Sequence, residues 1–116
     1  MRKPFKKQLN TLPIEEAHGW SGKRQLILSK DDAVSEHLQA MTKWFLKAGS
    51  LFDRHAHEGI DEFFLVVKGE GYIEFKDGEK IEYAADDLIY IPADLEHKIE
   101  ATGKEENEVF FIRINK

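Results

Sequence analysis

His55, His57, Glu62 and His97 set three imidazoles and one carboxylate within 43 residues of a 116-residue chain. Nitrogen and oxygen donors of this kind suit a divalent first-row transition metal. The chain contains no cysteine, so thiolate ligands, disulfides and a cysteine nucleophile are excluded. Side chains on a strand alternate with period two, so His55 and His57 share one side of a strand over 51–57. A turn over 58–61 leads to a strand over 62–68, and antiparallel pairing across that hairpin would bring Glu62 beside the two histidines. Phe64 and Val66 share the face of Glu62, and a charged group on an apolar face needs a partner. A metal would supply one. His97 follows Pro92 and comes from a separate hairpin, so two hairpins would each supply part of one shell. Four protein ligands leave about one or two positions open for water, dioxygen or a bidentate substrate. The spacing does not choose among Fe, Mn, Ni, Co and Zn. The ion would serve as a Lewis acid on a carbonyl or enediol, or as an oxygen-activating centre.

The elements that position these residues read as short strands separated by tight turns. Strands are expected over 25–29, 41–48, 51–57, 62–68, 72–76, 79–83, 88–91, 97–101 and 109–114, and one helical turn fits within 31–39. Asp77 and Gly78 suit a primed two-residue hairpin turn, which needs positive φ at both positions. Turns recur at roughly 8–12 residue spacing, the rhythm of an all-β sandwich or small barrel. Residues 1–25 read as an irregular arm punctuated by Pro4, Pro13 and Gly19 and carrying the apolar anchors Phe5, Leu9, Leu12, Ile14 and Trp20. Such an arm could lie across its own sheet or that of a partner, leaving 26–116 as one β domain. His18 and His37 fall in this front part and are read as exposed or hydrogen-bonded rather than as ligands.

Gly49, His55, His57, Glu62 and Gly69 together resemble the first signature motif of the cupin superfamily, with every position met. A second, looser motif runs from Asp86 through Pro92 to His97. It departs from the family pattern at Asp86, Asp94 and Ala101, where glycine, glycine and asparagine are usual, and none of the three is an expected ligand. The resemblance covers about residues 41–114 (~60% of the chain). It implies a small double-stranded β-helix, a jelly-roll barrel, with the metal inside near one end. It does not imply a particular reaction.

Substrate selection would fall to the residues around the ligands. Trp44, Phe64, Tyr72, Tyr90 and Phe110 are the aromatic candidates, with Arg113 as a candidate carboxylate clamp. Glu58 and Asp61 lie in the turn beside the ligands and are read as solvent-facing charge. The last strand has two apolar faces, which together with the arm favours a homodimer. The chain carries 22 acidic and 17 basic residues, a formal net charge of −5, which disfavours nucleic acid. It has no apolar run near the ~18 residues of a membrane span and no leader-like segment, so the expected location is the cytoplasm.

Three functions fit this reading. The first is a divalent-metal-dependent enzyme acting on a small organic molecule, as an oxygenase, isomerase, lyase or decarboxylase. The second is a non-catalytic module that binds or senses a small molecule, with the metal anchoring the ligand or the fold. The third is a scaffold for another protein.

Overall fold

The computed structural model describes residues 3–16, 22–56 and 58–115. His18, Trp20 and His57 lie outside the described residues. The described strands are β1 (Glu15–Glu16), β2 (Gly22–Ser29), β3 (Leu38–Leu46), β4 (Leu51–His55), β5 (Ile60–Lys68), β6 (Glu70–Phe75), β7 (Lys80–Tyr83), β8 (Leu88–Ile91), β9 (His97–Thr102) and β10 (Asn107–Asn115). Two short 3₁₀ turns occupy Leu9–Thr11 and Lys30–Asp32. The second is closed by a reciprocal cap between Ser29 and Asp32, and it overlaps only the start of the 31–39 segment in which one helical turn is expected.

The strands form a six-stranded sheet in the order β1-β2-β3-β10-β5-β8 and a four-stranded sheet in the order β4-β9-β6-β7. The expectation of a closed double-stranded β-helix or jelly-roll barrel is corrected here: the architecture is all-β, but both sheets are open. Among the described residues β1 and β8 remain edges of one sheet, and β4 and β7 remain edges of the other. Neighbours in sequence pair only as β1–β2, β2–β3 and β6–β7; every other connection carries the chain from one sheet to the other. Closure would need an edge strand of one sheet to hydrogen-bond an edge strand of the other, and among the described residues no ladder joins the two sheets. Gly49, with φ of 85°, makes the first crossing, and its amide donates to Ala101 O at 2.8 Å.

Alternation places the core between the sheets. Trp44 and Leu46 (β3), Phe64 and Val66 (β5), Ile73 (β6), Ile99 (β9) and Val109 and Phe111 (β10) are all buried there. Phe64 sits at its centre, with ring centroids 5.0 Å from both Tyr83 and Phe111. At one corner Tyr83 Oη donates to the buried Asn107 Oδ1 at 2.8 Å, and burial pushes the Tyr83 hydroxyl well above its ordinary pKa. Gly69 (φ 99°) passes so close to Asn107 that a Cβ would strike that side chain, so both backbone conformation and space require glycine.

Two local expectations change. Only Gly78 of the Asp77–Gly78 pair takes positive φ, so the turn is not a primed one. Asp77 instead accepts the Glu79 amide through Oδ1 at 2.8 Å. The front part is also less irregular than its composition implies, because β1 pairs with β2 and β2 begins at Gly22. The arm is fastened to its own β2. Lys7 Nζ donates to Ile27 O at 2.7 Å and Asp32 Oδ1 at 2.8 Å, and the buried Gln25 donates through Nε2 to Leu9 O at 2.7 Å.

Candidate metal centre

The site is assembled across the two sheets, not within one hairpin. β4 pairs with β9, opposing His55 directly to His97, whereas Glu62 lies on β5 in the other sheet. The expected hairpin pairing of Glu62 with the histidine strand is therefore replaced by a face-to-face approach. His55 and Glu62 each approach His97, by a route that the hairpin reading did not contain.

A bulge aims His55. Phe52 is buried and opposes Ile99, and His97 lies two residues before Ile99 on the same buried face of β9. His55, however, lies three residues after Phe52, so strict alternation would turn it away from that face. The register shift between Phe52 and His55 inserts the extra residue and restores the phase. The two imidazoles then lie with ring centroids 4.4 Å apart.

His97 is 1% exposed, and its ring Nδ1 lies 2.9 Å from Leu95 O. A carbonyl only accepts, so this contact places the ring proton on Nδ1 and leaves the lone pair on Nε2. Burial holds the imidazole below the usual histidine pKa range. The Leu95 carbonyl opposes that effect, nearby His55 adds to it, and Glu62 opposes it. The neutral ring is the form a metal requires.

Glu62 is 1% exposed. Its Oε2 accepts from Arg113 Nε at 2.8 Å, across the β5–β10 ladder where the two residues are direct partners. Its Oε1 faces His97 Nε2 at 3.8 Å, beyond hydrogen-bond distance. That gap allows a shared ion, because two metal–ligand bonds of about 2.1 Å span up to ~4.2 Å. The donor chemistry and this separation thus fit a divalent transition metal. Among the described residues, no group of three or more His, Asp or Glu side chains is already drawn together as a complete metal-holding set.

The candidate pocket residues fall into three places. Arg113 faces the interior and binds Glu62. Trp44 and Phe64 are core residues, with Trp44 packed edge-on against Phe52 at 5.1 Å. Tyr72, Tyr90 and Phe110 lie on strand positions that alternate with the buried ones, on the outer faces. There Tyr72 lies under Lys80 Nζ, 3.9 Å from the ring centroid, and Phe110 lies beside Lys43 at 5.6 Å.

Asp61, expected to face solvent, is instead a hydrogen-bond hub. Its Oδ1 accepts from Tyr90 Oη at 3.0 Å and from the Ala93 amide at 2.9 Å. Asp94 Oδ1 accepts from the Gly59 amide at 3.0 Å. Asparagine- and aspartate-rich turns do form such bonds, but these join residues more than 28 apart, which local sequence does not reveal.

Comparison with known proteins bears on the fold and the family. The chain is 40% identical over 47 residues to the uncharacterized protein YdbB of Bacillus subtilis, covering 40% of this chain and 42% of that protein. It is 34% identical over 65 residues to the uncharacterized protein MJ1618 of Methanocaldococcus jannaschii, covering 56% and 51%. The matches thus span about half, or less, of each curated relative. Among solved structures, a predicted oxalate decarboxylase from Thermotoga maritima superposes with a TM-score of 0.81 at 24% identity, covering 94% of this chain and 97% of that one. KdgF from a Halomonas species gives 0.77 at 18%, covering 92% and 91%. An RmlC-like cupin from Shewanella frigidimarina gives 0.78 at 19%, covering 98% and 93%. These likenesses show a shared fold. The family model described as Cupin domain matches residues 43–113, from β3 to β10 and across every described candidate ligand, and the chain belongs to that family.

Proposed function

We propose that this protein is a divalent-metal-dependent enzyme acting on a small organic molecule, with His55, His57, Glu62 and His97 as the ligands of one Fe, Mn, Ni, Co or Zn ion. The observation that carries the reading is the approach of Glu62 Oε1 and His97 Nε2 from opposite sheets, each side chain held by a second contact. Such an ion, when bound, polarises a carbonyl or enediol or activates dioxygen, the chemistry of oxygenases, isomerases, lyases and decarboxylases. Arg113 orients the carboxylate of Glu62 and is 26% exposed, so its guanidinium also offers charge to an anionic substrate. Trp44 and Phe64 belong to the apolar core between the sheets, and Phe64 shares the inward face of β5 with Glu62.

The test loads the protein with each ion in turn and incubates it with small organic acids, sugars and enediols, with and without oxygen. Product formed by the wild type and lost in His55→Ala is the expected result. Stoichiometric binding without product over hours would contradict the enzyme reading in favour of a binding or sensing module.

The proposed protein partner is a second copy of the chain. On the outer face of the six-stranded sheet, ladder partners Phe110, Leu65 and Leu88 form one apolar row, and Met41, Ile112, Phe63 and Tyr90 form another. Leu65, Leu88 and Tyr90 are exposed, and contiguous apolar faces of this kind favour association. The expected result is a dimer by light scattering that becomes a monomer in Leu65→Glu/Leu88→Glu with metal binding intact. A monomeric wild type would contradict it. Among the described residues no helix is long and apolar enough to cross a membrane. A cytoplasmic location is part of the proposal, and the net charge of −5 argues against a nucleic-acid partner.

A further inference from the structure

The metal reading requires Glu62 and His97, from different sheets, to hold a fixed separation. Resting on that reading, we infer that Asp61 and Asp94 are positioning residues, a pair of carboxylates that clasps the two ligand-bearing segments together. Asp61 immediately precedes Glu62, and its Oδ1 ties the start of β5 to Tyr90 at the end of β8 and to the Ala93 amide. Asp94 lies three residues before His97, and its Oδ1 ties the 92–96 turn to the Gly59 amide just ahead of β5. Leu95, between Asp94 and His97, supplies the carbonyl that orients the His97 ring. The three clasp bonds therefore bind residues 59–61 to residues 90–94, and the ring-orienting carbonyl follows directly. A group that hydrogen-bonds a metal ligand is typically worth about 10–100-fold in affinity, and the clasp acts through such a group, the Leu95 carbonyl on the His97 ring.

The backbone at Asp94 sharpens the argument. Its φ is 67°, left-handed, where a residue with a Cβ is disfavoured and glycine is not. Glycine would relieve this strain, so the aspartate is not explained by the turn conformation. The bond to Gly59 is what its side chain adds.

The experiment compares Asp94→Gly and Asp94→Asn with the wild type by titrating metal-free protein with Co(II), reading affinity and visible absorption bands, and by melting the metal-free proteins. Asp94→Gly is expected to melt at or above the wild-type temperature yet bind Co(II) at least about 10-fold more weakly, with shifted bands. Asp94→Asn keeps the Oδ1 acceptor and is expected to match the wild type in both. Asp94→Gly binding Co(II) within about twofold of the wild type would overturn the inference. So would a fall in melting temperature that accompanies the loss of affinity, because the role would then be structural. A wild type that takes up no Co(II) would remove the metal reading itself, and this inference with it.

Discussion

Replacing His97 with alanine is expected to weaken divalent-metal binding by more than about 100-fold, the upper end of what loss of a supporting contact alone produces. His97 occupies the central place in the site. It opposes His55 along the β4–β9 ladder, and its Nε2 faces Glu62 across the sandwich. Its Nδ1 contact with Leu95 fixes both the tautomer and the ring plane before any ion arrives, so little ordering remains to be done on binding. Removing this ring leaves His55 and Glu62 in different sheets without the donor that links them. The control is Lys98→Ala, the next residue along β9, whose side chain lies 3.2 Å from Glu74 on the half-exposed alternate face. That variant is expected to bind metal as the wild type does. Calorimetric titration of untagged, metal-free protein checks both, and full affinity in His97→Ala would remove it from the ligand set.

Phe64→Ala is expected to destabilise the metal-free protein by about 3–5 kcal/mol, the range for deleting a buried phenylalanine ring. At roughly 4–5 °C per kcal/mol for a domain of this size, the midpoint falls by about 12–25 °C. The ring is 0% exposed and packs between Tyr83 of β7 and Phe111 of β10, so it joins both sheets at their common centre. Neither sheet collapses readily onto the space left behind, because each is held in register by its own ladder. Phe64→Leu keeps most of the volume and is expected to lose about a third as much or less. Thermal unfolding of the three proteins checks the order. A loss below about 1 kcal/mol in Phe64→Ala would place the ring against open space, as a wall of a binding pocket rather than the middle of the core.

Much of this arrangement was legible in the chain because short-range chemistry decides it. The turn rhythm located the strands to within a few residues, and β8 falls on 88–91 as expected. Glu62, Phe64 and Val66 do share one buried face of β5. What was not legible depends on long-range pairing. Alternation says which residues of a strand share a face, but not which sheet the strand joins, so β4 and β5 could be read as a hairpin although the chain crosses between sheets there. Closure into a barrel failed for the same reason, because turn spacing is identical whether the ladders close or stay open. The bulge between Phe52 and His55, which sets the face of His55, is a matter of pairing with β9 and has no local period to announce it. The outward placement of Tyr72 had a signal: Ile73 and Phe75 set the buried phase of β6, and Tyr72 is out of step with it. Asp61 and Asp94 gave none, because their bonds reach partners far away in sequence.

Metal content of untagged wild-type protein, beside His57→Ala purified identically, tests the central claim most directly. The account predicts about one Fe, Mn, Ni, Co or Zn per chain, and its loss in the variant. A wild type that carries none of these ions and takes up none with high affinity on titration would contradict it.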